Sequence, residues 1–434
     1  SLSLNISFTV ISGNRLAYAV HSCDHFDTMA EDLSERNLRK VTVETRNSQG
    51  KVVSHEYHLP DGYKLTDLHS IGSGTYGTVI RTYATVNRRV KNNKRTRKEV
   101  EVAVKKFRIP VSNKQRAQRC YREIKLLQLL KHPNIARIFD LYSPDKNAND
   151  LNEIYLVTEY VGSSIEKFVN EQNERYARNE HVYLTIDMLP RVIRDILNAL
   201  LYLKSVNVLH RDLKPSNLAI NGDKAVLIDY GMARIKDSSE LTDKVQTLKY
   251  SAPEVHYWKS GSYEREVDMW SIGCILAELI TWQLLFDFAI PSHEWCEHYI
   301  SLFGPIPDSF LDKVIDRLAK EMMAKQNSKV KVMDLETYFM KNSKVVKFEV
   351  NDEKLRNEPI FLSAIDFLAE CIKFDPVTRI TIENALNHPF IRNCNSSTYP
   401  LSYDDDANRS IDEWKKVIFN EINSFEARED TPVP

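Results

Sequence analysis

The hydrophobic pattern changes period part-way along the chain, and that change limits the possible folds more than any other single feature. Leu2, Leu4, Ile6, Phe8 and Val10 alternate as in a strand. Val41–Tyr57 reads as a hairpin around Asn47-Ser-Gln-Gly50, Leu68–Val90 as two strands joined through a glycine-rich turn, and Val100–Phe107 as another strand. One helix falls among them, over Lys114–Lys131, with Cys120, Ile124, Leu127 and Leu130 on one stripe and His132-Pro133 ending it. Beyond Val161 the apolar residues recur mostly at helical spacing, over Leu189–Ser205, Glu266–Trp282 and Pro359–Ile372. A strand-rich part followed by a helix-rich part predicts an α+β chain of two lobes with a cleft between them.

Bulk properties exclude several classes. With 59 basic and 60 acidic residues in 434, the formal charge of -1 gives no electrostatic reason to expect nucleic acid or a membrane as partner. The six cysteines (Cys23, Cys120, Cys274, Cys296, Cys371 and Cys394) form no C-x-x-C pair, which argues against a disulfide scaffold and for a reducing compartment, cytoplasm or nucleus. No apolar run approaches the roughly 20 residues of a membrane span. The N-terminus lacks a basic segment followed by an apolar block, so no secretory leader is expected.

Four motifs carry chemistry, and their order is that of a phosphoryl-transfer site. Ile71-Gly-Ser-Gly-Thr-Tyr-Gly-Thr-Val79 places Gly72, Gly74 and Gly77, with Ser73, Thr75 and Tyr76 between them, where a backbone without Cβ atoms can approach phosphate oxygens. Val79 and a further strand follow, rather than the helix that a dinucleotide fold requires. Lys105, in Val102-Ala-Val-Lys105, is a strand cation inside an apolar run; it needs a partner, and Glu123 on the next helix can supply it. In Val208-Leu-His-Arg-Asp-Leu-Lys-Pro-Ser-Asn217, Asp212 can orient an incoming hydroxyl, Lys214 can neutralise charge on the transferred group, and Asn217 can offer its amide oxygen to a metal ion. Asp229, in Leu227-Ile-Asp-Tyr-Gly231, closes an apolar strand with a carboxylate suited to Mg²⁺.

These motifs resemble the eukaryotic protein kinases from about Tyr63 to Ile391, with Ala252-Pro-Glu254 and Asp268-Met-Trp-Ser-Ile-Gly273 as further landmarks. The resemblance implies a bilobal fold, ATP and Mg²⁺ as cofactors, and transfer to Ser or Thr. It further implies that Thr158 guards the adenine pocket, that Glu159 and Val161 offer backbone groups to the base, and that Val79, Ala103 and Leu218 sandwich it. Ser164 stands where relatives often place an acidic ribose contact, Tyr230 where they place Phe, and Arg379 where the buried partner of Glu254 sits. Val102-Ala-Val-Lys-Lys106, Tyr121-Arg-Glu-Ile124, Lys214-Pro-Ser-Asn-Leu-Ala-Ile-Asn221 and Ile411-Asp-Glu-Trp-Lys415 are similar to the mitogen-activated protein kinases, especially the stress-activated branch. That likeness implies a phosphothreonine pocket of Arg119, Arg122 and Arg211, with Thr242 as the phosphate acceptor. It divides the chain into an N-terminal extension (1–40), an N-lobe with a preceding hairpin (41–161), a C-lobe (162–395) with a helical insert at about 285–356, and a C-terminal extension (396–434) packing back on the N-lobe.

Three departures qualify the likeness. The activation loop reads Leu241-Thr-Asp-Lys244, with lysine at the position of the second acceptor, and Leu248 and Ser251 replace the two arginines that read it. Proline-directed specificity is therefore not implied. The acidic docking cluster falls on the uncharged Asn395-Ser-Ser-Thr398, with Asp404, Asp405 and Asp406 nearby. Seven of the eleven residues of Arg88–Lys98 are basic, in what should be a solvated loop between strands. The expectation is a monomeric Ser/Thr kinase acting on proteins under an upstream mitogen-activated protein kinase kinase; the alternative is a catalytically weak kinase-fold scaffold.

Overall fold

The computed structural model describes residues 37–46, 52–65, 67–73, 77–90, 94–107, 111–235, 248–259, 265–287, 292–345, 359–391 and 409–423. The Leu2–Val10 alternation, Gly74–Tyr76, Thr242–Lys244, Asn395–Thr398 and Asp404–Asp406 lie outside them.

Strands β1 (Leu38–Arg46) and β2 (Val52–Pro60) form the expected hairpin, in register from Leu38↔Pro60 to Arg46↔Val52. β1 starts two residues ahead of the Lys40 boundary read from the sequence. Val43, Tyr57 and Leu59 bury the hairpin against Ile80, Val102, Val104, Tyr155 and Val157. The sheet beneath contains β3 (His69–Ser73), β4 (Gly77–Val90), β5 (Lys94–Phe107), then, after helix α1 (Lys114–Leu129), β6 (Ile138–Tyr142) and β7 (Tyr155–Glu159). Its order is β3-β4-β5-β7-β6, antiparallel throughout.

Within the basic stretch 88–98, residues 88–90 and 94–98 are strand and not the loop their composition suggests. β4 and β5 pair as far as Val90↔Lys94, with Arg88↔Thr96 and Arg89↔Arg95 within the ladder. An antiparallel ladder satisfies its backbone groups whatever its side chains, so charge alone does not end a strand. α1 begins where Asn113 accepts the Arg116 N–H at 2.9 Å.

The helical part opens with β8 (Ser163–Ser164), α2 (Ile165–Ala177) and α3 (Leu189–Ser205). Short strands follow: β9 (Val208–Leu209), β10 (Leu218–Asn221), β11 (Lys224–Leu227) and β12 (Arg234–Ile235). Next come α4 (Pro253–Tyr257), α5 (Glu266–Thr281), α6 (His293–Phe303), α7 (Asp308–Leu311), α8 (Arg317–Asn327), α9 (Leu335–Asn342), α10 (Pro359–Cys371), α11 (Ile382–Leu386) and α12 (Ile411–Asn423). α5 is buried on every side from Val267 to Thr281 and runs through the core of this part. Its Trp270 packs on Phe286, Trp295, Tyr299 and Phe374, at ring separations of 5.6 to 6.4 Å. Trp295 and Tyr299 belong to α6, so the front of the 285–356 stretch is lobe core rather than appendage. Glu254 and Arg379, 1 % and 0 % exposed, form the anticipated pair through two bonds of 2.7 and 3.0 Å. Among the described residues no helix is long and apolar enough to cross a membrane.

α12 returns to the first lobe. Trp414, Ile418 and Ile422 are buried, the Trp414 ring lies 5.2 Å from that of Tyr121 on α1, and Lys125 bonds Glu421 at 2.8 Å.

Candidate active site

Cross-strand partners share a face, so Val79↔Lys105 and Ala103↔Thr158 place four of the expected nucleotide residues on one side of the sheet. Val102 and Val104 are fully buried on the other side. Ile71, Gly72 and Ser73 lie on β3, with Gly72 opposite Val79 after a bulge. A Cβ at Gly77 would stand 2.5 Å from the Lys106 carbonyl oxygen, so β4 can start this close to β5 only with glycine there. Leaving the sheet, the Glu159 N–H bonds Arg137 O at 2.9 Å and the Tyr160 N–H bonds Glu101 O at 3.2 Å. Val161 follows. Gly162 then turns at φ 140°, where a Cβ would meet Ile220 O at 2.1 Å. Ser164 spends its oxygen on the Lys167 N–H at 3.2 Å, capping α2. Leu218 is fully buried at the start of β10.

The charged centre gathers residues distant in sequence. Lys105 Nζ bonds Glu123 Oε1 and lies 3.4 Å from Asp229 Oδ2. The side chains of Lys105 and Glu123 are 15 % and 4 % exposed. Burial works against the Lys105 charge, but Asp229 and Glu123 outweigh it and hold the ammonium well above its usual range. Burial pushes Glu123 up to about 7, against the pull of Lys105 and with help from the Asp229 charge. Burial also acts to raise Asp229; Lys105 and the Gly231 N–H, at 2.9 Å from Oδ1, more than offset it and keep this carboxyl below its ordinary value.

The catalytic loop is pinned from both ends. Asp212 Oδ2 accepts from Lys214 Nζ at 2.8 Å and from Asn217 Nδ2 at 3.0 Å, and Asn217 Nδ2 also reaches Asp212 O at 2.8 Å. Arg211 adopts φ 64°, a left-handed conformation that a non-glycine residue keeps only when its surroundings enforce it. The Asp268 carboxylate accepts its N–H at 3.2 Å, and its guanidinium donates to Met232 O at 3.1 and 2.9 Å. His210 Nε2 bonds Asp229 O at 2.8 Å and so ties this loop to the Asp229 segment. Lys105, Glu123, Asp212, Lys214, Asp229 and Arg119 line one cavity.

Sequence reasoning missed several members of this site. Arg116, Phe107, Cys120 and Met232 line the same cavity; Arg116 is three residues from Arg119, a helical spacing that could have flagged it. His210 and Asp268 lay inside quoted motifs, but nothing in their spacing revealed that they brace Asp229 and Arg211.

The protein kinase domain family matches this chain over residues 65–391. Mitogen-activated protein kinase pmk-3 of Caenorhabditis elegans is 32 % identical over 388 residues, which span 87 % of this chain and 76 % of that protein. This chain belongs to the mitogen-activated protein kinases. Mitogen-activated protein kinase pmk-1 of the same organism is 32 % identical over 83 % of the chain, and mitogen-activated protein kinase 12 of Mus musculus 31 % identical over 83 %. The family uses ATP and a divalent metal ion, acts on proteins and answers to upstream kinases. In this kinase Arg119 and Arg122 occupy α1, Arg122 and Arg211 are each 3 % exposed, and Thr242 is outside the described residues.

Proposed function

We propose that this kinase transfers the γ-phosphoryl group of magnesium-bound ATP to Ser and Thr hydroxyls of proteins in a stress-responsive cascade, and that it works as a monomer in the cytoplasm or nucleus. The observation that carries this reading is the convergence of Lys105, Glu123, Asp212, Lys214 and Asp229 on one cavity, with Asn217 bonded to Asp212. Magnesium-bound ATP supplies the electrophilic phosphorus when it binds. The metal-facing pair fits a hard cation: with its NH₂ committed to Asp212, Asn217 has its amide oxygen to offer, and the Asp229 carboxylate is held ionised. Lys105, fixed by Glu123, would meet the phosphate oxygens of the bound nucleotide. Asp212, oriented by Lys214 and Asn217 before any substrate arrives, accepts a hydrogen bond from the acceptor hydroxyl and aims it. Lys214 remains beside the transferred charge.

The same reading assigns the backbone of Glu159 and Val161 to the adenine, with Val79, Ala103 and Leu218 around it. It gives the ribose no carboxylate, since Ser164 caps α2. A phosphate on Thr242, near -2 in charge, would join α1 to the catalytic loop through Arg119, Arg122 and Arg211. The deciding experiment compares wild type with Asp212→Ala on a positional Ser/Thr peptide library. Wild type should turn over and the variant should lose about 10²- to 10⁴-fold in kcat. Wild type no faster than the variant would leave only the scaffold reading.

A further inference from the structure

Tyr230 stands next to Asp229 and is 1 % exposed, inside the main core. Its ring packs edge-on against His210, with centroids 5.6 Å apart. Among the described residues its hydroxyl has no hydrogen-bond partner. The polar groups nearest in chain and space are committed elsewhere. His210 Nε2 serves Asp229 O, and Nδ1 meets the Asp212 N–H at 3.4 Å. The Asp229 carboxylate serves the Gly231 N–H and Lys105. The Tyr202 hydroxyl, close enough to act on Tyr230 electrostatically, accepts the Lys131 N–H at 3.0 Å. Burial drives the Tyr230 phenol far above its usual range, so the group is a neutral, desolvated O–H.

A hydroxyl buried without a partner shifts the equilibrium against the arrangement that buries it, by roughly 5- to 150-fold. A phenylalanine in the same seat would carry no such burden. The seat is coupled to the chemistry, because Tyr230 cannot leave it without moving Asp229, and Asp229 holds Lys105, the Gly231 N–H and the His210 imidazole.

We propose that Tyr230 is a positioning residue whose unpaired buried hydroxyl weakens the seating of Asp229 against Lys105 and His210, so that the free enzyme holds the seated arrangement less firmly than it would with phenylalanine and part of the metal–nucleotide binding free energy goes into stabilising it. The inference rests on Asp229 as the metal carboxylate. It gives this kinase a weaker hold on metal–nucleotide than a phenylalanine at position 230 would give it, and it places the deficit in one oxygen atom.

The test uses the full chain, wild type and Tyr230→Phe, with ADP as the probe. Calorimetry gives its Kd with and without magnesium, and hydrogen exchange follows the Gly231 amide in the free protein. Tyr230→Phe should tighten magnesium–ADP by about 5-fold or more, leave metal-free ADP within twofold, and slow Gly231 exchange by a similar factor. Equal tightening with and without magnesium means a general gain in fold stability and overturns the proposal. No change in Kd or exchange, or weaker binding, overturns it as well. Asp229→Asn separates the two levels of the argument. If the magnesium-dependent part of ADP binding survives in that variant, the metal assignment itself is wrong. If it disappears while Tyr230→Phe is silent, only the role of the hydroxyl falls.

Discussion

Removing the Lys105 ammonium should cost little stability at low pH and progressively more as pH rises. Glu123 is the reason. Its carboxyl, 4 % exposed, is displaced from 4.5 to about 7 even with Lys105 beside it. A group whose folded value lies above its unfolded value contributes stability that is intact below 4.5 and lost as pH rises through the folded value, roughly 3 kcal/mol here. Lys105→Met takes away the cation that favours ionisation, an interaction of about 4 kcal/mol at an effective dielectric near 20. The folded carboxyl then holds its proton to higher pH. At pH 6 both proteins bury a protonated Glu123, so the difference between them there comes from Asp229 and lost packing and not from Glu123. Above pH 7 wild type ionises into its ion pair while the variant must keep a proton that the unfolded chain has released. The penalty should then grow by up to roughly 1.4 kcal/mol per pH unit, standing nearly 3 kcal/mol higher at pH 9 than at pH 6. Asp229, whose value is lowered against burial chiefly by Lys105, gives its full contribution throughout this range and loses it only as pH falls below its ordinary 3.8, so losing Lys105 adds a cost at Asp229 that is already present at pH 6. Urea unfolding at pH 6, 7, 8 and 9 measures the effect, and Lys105→Met/Glu123→Gln should lose the pH dependence altogether. A penalty that stays constant or shrinks between pH 6 and 9 would refute the reasoning. Near pH 6.5 Lys105→Met should fold and still lose about 10²-fold or more in turnover, because its role is on the phosphates.

Three further outcomes follow from other parts of the structure. Trp414→Ala, at a fully buried ring against Tyr121, should cost about 3–5 kcal/mol and expose α12 and the adjoining face of α1 to hydrogen exchange while α5 stays protected; unchanged exchange in α1 would show that the tail does not brace it. Arg379→Met should cost about 3–5 kcal/mol by stranding Glu254, and Glu254→Gln/Arg379→Met should recover part of that loss; a double variant as unstable as the sum of the singles would deny the coupling. Thr242→Ala, prepared with an upstream kinase, should remain at basal activity, whereas Lys244→Tyr should gain little even when phosphorylated, since Leu248 and Ser251 offer that phosphate no guanidinium; full activity in Thr242→Ala would mean a kinase that needs no phosphate switch.

Asp212, Lys214 and Asn217 could be picked out as candidates from the sequence because they sit in a run of six residues. Such a short stretch is held by bonds among its own members, such as Lys214 to Asp212 at 2.8 Å. The helix Leu189–Ser205 was legible to the residue because its apolar stripe repeats over 17 positions. Residues 88–90 and 94–98 were misread because seven basic residues in the stretch resemble loop composition, whereas a strand is defined by the partner it pairs with, and β4 and β5 supply each other. The first residues of β1 were not legible for the same reason: Leu38 is a strand residue only because Pro60 lies opposite it.

From local order, then, the sequence determined the strand-rich and helix-rich parts, the four motifs and the residue types that stand at the candidate site. Tertiary structure decided their state. Lys105 and Asp229, 124 residues apart, share one ammonium between two carboxylates only because β5, α1 and the Asp229 segment converge. The displacement of Glu123 and the solitary hydroxyl of Tyr230 depend on how much water packing excludes and on which neighbours are already bonded. A residue type is local information, but its charge and its unsatisfied bonds belong to the dielectric and the geometry that the whole fold builds around it.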